Sequence, residues 1–213
     1  MTPTRNSSFE LLRIILIIMI LVEHGNMWFI GGGYSSEAEH LAKCIVESMC
    51  IGSVNAFVLI SGWFGIRSGL KKIGALAFML FFCTVPLLIV ALLCGWVSIS
   101  LITSVDGIYE YVFGGNAYWF VVDYIGLLIM SPVLNNGIKT VGKDKLRTLL
   151  LAAYALILIY DFIFRAPILG TEGGYSLIWF GFLYILARYM RIYGSRLMDR
   201  YCLNIVFQGI ACL

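Results

Sequence analysis

Residues 73–97 read IGALAFMLFFCTVPLLIVALLCGWV, an unbroken stretch of 25 residues without a charge. A helix needs about 20 mostly apolar residues to cross the hydrocarbon core of a bilayer. Backbone groups in lipid must find their partners inside the segment, so a run of this kind reads as a helix. Five further runs lie on either side of it: Leu11–Ile30, Leu41–Phe64, Tyr118–Leu134, Leu146–Phe164 and Tyr175–Ile192. Stretches such as Ile14–Val22 and Leu149–Tyr160 do not alternate in polarity, which argues against an outer-membrane barrel. A seventh run, Tyr201–Leu213, has 13 residues and would cover only about 20 Å as a helix. The sequence therefore predicts an all-α integral membrane protein, a polytopic bundle of six full transmembrane helices plus a partial seventh. It reads as a single domain over residues 1–213 and as the leading part of something longer.

Composition agrees. Of 213 residues, 61% are hydrophobic and 13% are charged, and the mean hydropathy is +0.92. Soluble domains carry about twice that share of charge, so a soluble globule, a disordered chain and a secreted disulfide scaffold are all excluded. A net charge of +3 is too small to point to nucleic acid. The placement of the charges says more. With the N-terminus cytoplasmic and the spans alternating, 13 of the 15 Lys and Arg residues fall inside, and only Lys43 and Arg165 fall outside. This is the positive-inside pattern, and it predicts a multi-pass plasma-membrane protein with a cytoplasmic N-terminus. The outer loops carry Glu37, Glu39, Asp106, Glu110 and Glu172 instead. Glu23 and His24 directly follow the first apolar stretch, with no small-x-small cleavage site, so that stretch reads as a retained helix and not a signal peptide. Six cysteines sit in or beside apolar runs without a C-x-x-C pair, and there are two histidines. No metal site follows from them; they read as small packing residues.

Polar residues inside spans carry the functional reading, because a charge at mid-bilayer costs roughly 2.5–3.5 kcal/mol on insertion scales. The first span holds Glu10, Arg13 and His24. The step from Arg13 to His24 is about 20° past three full turns, so the two share a face roughly 16 Å apart along the axis. Glu10 lies in pairing range of Arg13, while Glu23 lies about 100° away and faces a neighbour or the interface. The alternative readings are a snorkelling helix-end arginine and an interfacial histidine. In the second span, Ser48, Asn55 and Gly62 recur every seven residues with Gly52 beside them, which predicts close helix packing through small residues. Asn55 needs hydrogen-bond partners there. In the fourth span, Tyr118 and Trp119 suit an aromatic belt, and Asp123 lies about 7 Å deeper. Pro132 would kink or end that helix. Asp161 and Arg165 have the spacing of an i,i+4 ion pair.

Three stretches resemble acyltransferase family 3, the multi-pass membrane acyltransferases of sugars and cell-surface polymers. ELLRIILIIMILVEH, Glu10–His24, resembles that family's acidic-x-x-Arg start and its arginine–ten residues–histidine motif. SVNAFVLISGWF, Ser53–Phe64, resembles its V-(D/N)-x-F-F-x-x-S-G-F signature, with Asn55, Ser61 and Gly62 aligned. YWFVVDYIGLLIMSPVLN, Tyr118–Asn135, is similar to a span of the exopolysaccharide-modifying branch. Ser176–Tyr193 adds a weaker likeness. Members of that family resemble bundles of about ten spans, so the likeness covers about the first two-thirds of a typical one.

The resemblance implies transfer of an acyl group, most often acetyl, from acyl-coenzyme A as donor co-substrate to a hydroxyl of a sugar or polysaccharide. No bound cofactor is implied. His24 would be the base or a transient acyl carrier, Arg13 a fixed cation for phosphate or carbonyl, and Glu10 its orienting partner. Asn55, Ser61, Trp119, Asp123 and Tyr124 would contact substrate. The donor's nucleotide end would dock among the inner basic residues and its pantetheine arm would reach outward toward His24. A rival reading is a transporter in which Asp123, Asn55 and His24 line a polar path.

Overall fold

The computed structural model describes residues 7–25, 36–67, 69–113, 118–165, 171 and 174–194. Every regular element among them is helical. Helix α1 covers Ser7–Gly25, α2 Glu37–Cys50, α3 Ser53–Phe64, α4 Leu70–Leu93, α5 Ile99–Ile102, α6 Val105–Tyr111, α7 Trp119–Thr140, α8 Lys143–Leu158 and α9 Leu177–Tyr193. A π-helical turn, Ile159–Ile163, continues α8. The expected seventh run lies outside the described residues. So does the expected Asp161–Arg165 pair, because the Asp161 side chain is not among those described.

Among the described residues, three helices are long and apolar enough to cross a membrane: Glu37–Phe64 taken as one, α4 and α7. The other runs are helical but shorter or more charged. Helix α1 has 19 residues and carries Glu10, Arg13 and Glu23, while α9 has 17 residues.

One feature departs from the sequence reading, and a second decides between its alternatives. The second run is not one uninterrupted helix, since Ile51 and Gly52 form a turn between α2 and α3. The turn separates Ser48 from the seven-residue stripe: Ser48 is exposed, and its hydroxyl donates to the Cys44 carbonyl at 2.7 Å. Asn55 and Gly62 are both buried. Of the two outcomes expected at Pro132, an end is not what occurs; α7 runs on to Thr140. Proline lacks the N–H that would meet the carbonyl four residues back, here that of Leu128. The fully buried Ser131 supplies the missing donor, its Oγ lying 2.8 Å from the Leu128 carbonyl.

The helices group into two compact units, Met1–Gly65 with Phe182–Leu213, and Ile66–Gly181. In the first, Leu16 of α1 packs with Ala56 and Ile60 of α3, flanked by Phe9, Leu12, Met19 and Phe57. Phe9 meets Phe64 edge-on at 4.8 Å. Helix α3 is the core of this unit, with nine of its twelve residues buried. Its Gly62 lies against α9 so closely that an added Cβ would stand 2.7 Å from the Tyr184 carbonyl oxygen and 2.8 Å from the Ala187 Cβ. This is the small-residue packing that the sequence predicts.

In the second unit, Thr84 of α4 lies within hydrogen-bonding distance of its own helix at Leu80 and of the Val112 carbonyl just past α6. Asn135 of α7 donates to the Ile66 carbonyl at 3.1 Å. Trp119 and Phe120 pack on Phe180, and Ser176 caps α9 by accepting from the Trp179 N–H.

Candidate functional site

The first unit brings three arginines to one end of α3. Arg13 of α1 binds Glu10 at 3.0 Å, as their spacing predicts. Its guanidinium lies 5.5 Å from the centre of the Phe64 ring. From α9, Arg188 donates to the Trp63 carbonyl at 3.4 Å, and Arg191 sits over the Trp63 ring at 5.1 Å. Gly65 closes the helix with φ +76°, and its Cα side faces the Arg188 guanidinium, which a Cβ would meet at 3.0 Å. The local cause is plain. The last carbonyls of a helix lack intrahelical partners, and their partial negative charge attracts cations. Residues Trp63–Gly65 present those carbonyls together with two aromatic faces, and guanidinium groups use both.

His24, near the other end of α1, is exposed. Its Nδ1 lies 2.8 Å from the Ile20 carbonyl oxygen. A carbonyl only accepts, so Nδ1 carries the proton. In that tautomer the free lone pair is on Nε2, the atom a general base would use. Glu23 is the residue that this end of α1 buries.

Asn55 is buried in α3. The Ser61 hydroxyl donates to the Phe57 carbonyl of its own helix at 3.1 Å, which gives it a structural bond. Trp119, Asp123 and Tyr124 belong to the second unit. There Trp119 meets Tyr175 edge-on at 5.1 Å, and Tyr124 stacks on Phe120 at 5.7 Å. Asp123 is half-buried and engaged. In the same unit a recess is lined by Thr84, Leu88, Ala91, Glu110, Tyr111 and Tyr118. Its exposed lining is mainly apolar, with the Glu110 carboxylate and two phenols beside it.

No family model, no curated protein and no solved structure matches the chain. The functional reading therefore rests on the chemistry of these groups and on the motifs.

Sequence reasoning singled out Glu10 and Arg13 but not Arg188 and Arg191, which it counted among the inner positive charges. Their three-residue spacing marks one helix face; nothing local links that face to Trp63, 125 positions earlier. The recess at Glu110 and Tyr111 was also missed, because it depends on how α6 sits on α4. Among the described residues no group of three or more His, Cys, Asp or Glu side chains could hold a metal.

Proposed function

We propose that this chain is a membrane-bound O-acyltransferase that moves an acyl group from acyl-coenzyme A to a hydroxyl of a sugar or cell-surface polysaccharide. The reading includes six spans, a cytoplasmic N-terminus and a plasma-membrane location. The observation that carries it is the gathering of Arg13, Arg188 and Arg191 on Trp63–Gly65. Guanidinium groups match phosphate oxygens in planar, bidentate geometry. In the topology set by the charges, this end of α3 faces the cytoplasm, where coenzyme A is.

In the reaction, the acceptor oxygen attacks the thioester carbonyl, and the C–S bond breaks. The hydroxyl proton passes to a base and finally to the departing thiolate, so that coenzyme A leaves as the thiol. His24 is the base in this reading, acting through Nε2, and Arg13, held by Glu10, binds the donor. Asn55 and Ser61 border the donor's path. The motif likeness assigns Trp119, Asp123 and Tyr124 to the acceptor.

The test is binding of coenzyme A to the purified protein in detergent. Arg188→Ala should weaken it at least tenfold, about 1.4 kcal/mol for a lost charge-assisted contact. Unchanged binding across Arg13→Ala, Arg188→Ala and Arg191→Ala would remove the donor site.

A second reading is favoured by one observation, the turn at Ile51–Gly52 inside an apolar segment. Interrupted helices beside buried acids are a feature of transporters. Coenzyme A binding separates the two readings directly.

A further inference from the structure

The second unit gathers positive charge at one of its ends, and the donor site proposed above, which lies in the first unit, uses none of it. Two stretches supply the charge. Arg67, Lys71 and Lys72 flank the start of α4, while Lys139, Lys143, Lys145 and Arg147 flank the turn between α7 and α8. The fold brings the two stretches to one level. Helix α4 packs along α7, and Asn135 donates to the carbonyl of Ile66, 69 positions earlier. Arg67 follows Ile66 directly, and Lys139 is one turn beyond Asn135. Buried aliphatic residues hold both stretches: Ile66 beside Arg67, Ile138 beside Lys139, and Leu146 between Lys145 and Arg147. All seven cationic residues are exposed.

Little within the unit offsets this charge. Among the described residues none of the seven forms an ion pair, and Asp144 is the one acid in the two stretches. Lys72 donates instead to the Arg67 carbonyl at 3.0 Å. The start of a helix is partly positive and favours acids. The first turn of α4 has none, and that of α8 sets Asp144 between Lys143 and Lys145. Both helix starts therefore add to the field. Orientation in the membrane asks only for cations somewhere in the inner loops; it does not ask that two loops be joined into one surface.

The level of the cations selects their counter-ion. Phe78 is six residues after Lys72 and 70% exposed, and Val133 is six residues before Lys139 and 75% exposed. Six residues of helix cover about 9 Å. Both helices thus present apolar side chains outward about 9 Å from the cations, and the headgroup layer extends roughly 5–7 Å beyond the hydrocarbon on each side. Lysine and arginine stems reach across that distance. The phosphates at this level belong to lipids.

We propose that this end of the second unit is a binding surface for anionic phospholipid headgroups, shared between the Arg67–Lys72 and Lys139–Arg147 stretches. Clusters of four to eight Lys and Arg beside a span attract such headgroups. The surface takes its cytoplasmic placement from the topology proposed above, and it is independent of acyl transfer.

The test is native mass spectrometry of the full chain in detergent, titrated with cardiolipin, which carries two phosphates in one headgroup, and with phosphatidylethanolamine. Cardiolipin should bind at least tenfold more tightly. A cation at the membrane surface is worth roughly fivefold, so Lys71→Gln with Lys72→Gln should weaken cardiolipin binding at least tenfold, and Lys143→Gln with Lys145→Gln should do the same. The matching Lys→Arg pairs keep the charge and should bind like the parent; loss in these too would overturn the electrostatic reading. Lys43→Gln, in the first unit, should change nothing. Equal binding of the two lipids, or a preference that survives both Lys→Gln pairs, would overturn the proposal. Displacement of cardiolipin by coenzyme A or inorganic pyrophosphate would also overturn it, by making this a site for soluble phosphates.

Discussion

Replacing Gly62 by alanine tests the packing on which the arginine site depends. In an ordinary helix the change is favourable by about 1 kcal/mol, because alanine is the better helix former. Here the new Cβ would lie 2.7 Å from the Tyr184 carbonyl oxygen, 2.8 Å from the Ala187 Cβ and 3.0 Å from the Tyr184 Cα. Carbon atoms rest at about 3.5–4.0 Å, so α9 would have to retreat by roughly 0.7–1 Å. The atoms in the way are backbone and a Cβ, and no rotamer change moves them. Overpacking of this kind costs about 1–3 kcal/mol, which outweighs the propensity gain for all but the smallest values. Gly62→Val, with a branched side chain in the same gap, should lose about 2 kcal/mol and lower the midpoint of thermal unfolding in detergent by about 4–8 °C. Ala187→Gly should recover part of the loss in Gly62→Ala, since it removes one of the hard contacts. Because Arg188 follows Ala187 directly, the same retreat should weaken coenzyme A binding. A Gly62→Val protein as stable as the parent would refute the close crossing of α3 and α9.

Other outcomes follow from the same structure. Arg13→Lys keeps the charge but loses the planar fork, so acyl transfer measured with radiolabelled acetyl-coenzyme A should fall at least tenfold while thermal stability changes little; full activity in Arg13→Ala would make Arg13 a topology anchor. His24→Gln should lower transfer by roughly 10²–10⁴-fold, the usual worth of a positioned base, without affecting membrane insertion; near-normal transfer would remove His24 from the chemistry. Gly65→Ala places a side chain at φ +76°, at a strain of roughly 1–2 kcal/mol, and should shift the Arg188 guanidinium enough to reduce coenzyme A binding. Cysteines substituted at Lys71 and Lys143 should resist an impermeant thiol reagent in intact cells; labelling from outside would invert the topology.

The long helices were legible because hydrophobic run length is a local property: each of the six runs overlaps one, while the short α5 and α6 fall between runs. The turn at Ile51–Gly52 was not legible. Gly52 reads equally as a packing residue in a continuous helix, and no proline marks the break. That α7 continues past Pro132 was not legible either, because the repair comes from Ser131, whose hydroxyl serves a backbone carbonyl instead of a partner across the bundle. In the site, the Glu10–Arg13 pair was readable from three-residue spacing. Spacing also put Glu23 about 100° from His24, facing a neighbour or the interface, and it is a neighbour that covers it; which of those two surroundings it meets is not fixed by spacing. Arg188 and Arg191 reach Trp63 only through the α3–α9 crossing, a long-range contact on which the sequence is silent.

Helices α3 and α4 are similarly apolar, yet they are placed in opposite ways. Half of the Glu37–Phe64 span is covered by protein, against 11% of Leu70–Leu93. An outward-facing position on α4 asks only for oiliness, so leucine, isoleucine, valine and phenylalanine can replace one another there over generations at little cost. Positions on α3 are fitted to particular neighbours, and a change at one calls for a matching change on α1 or α9. Homologues should therefore drift fast along α4 while α3 changes slowly and in concert with its partners, so that the two hydrophobic stretches would age at different rates.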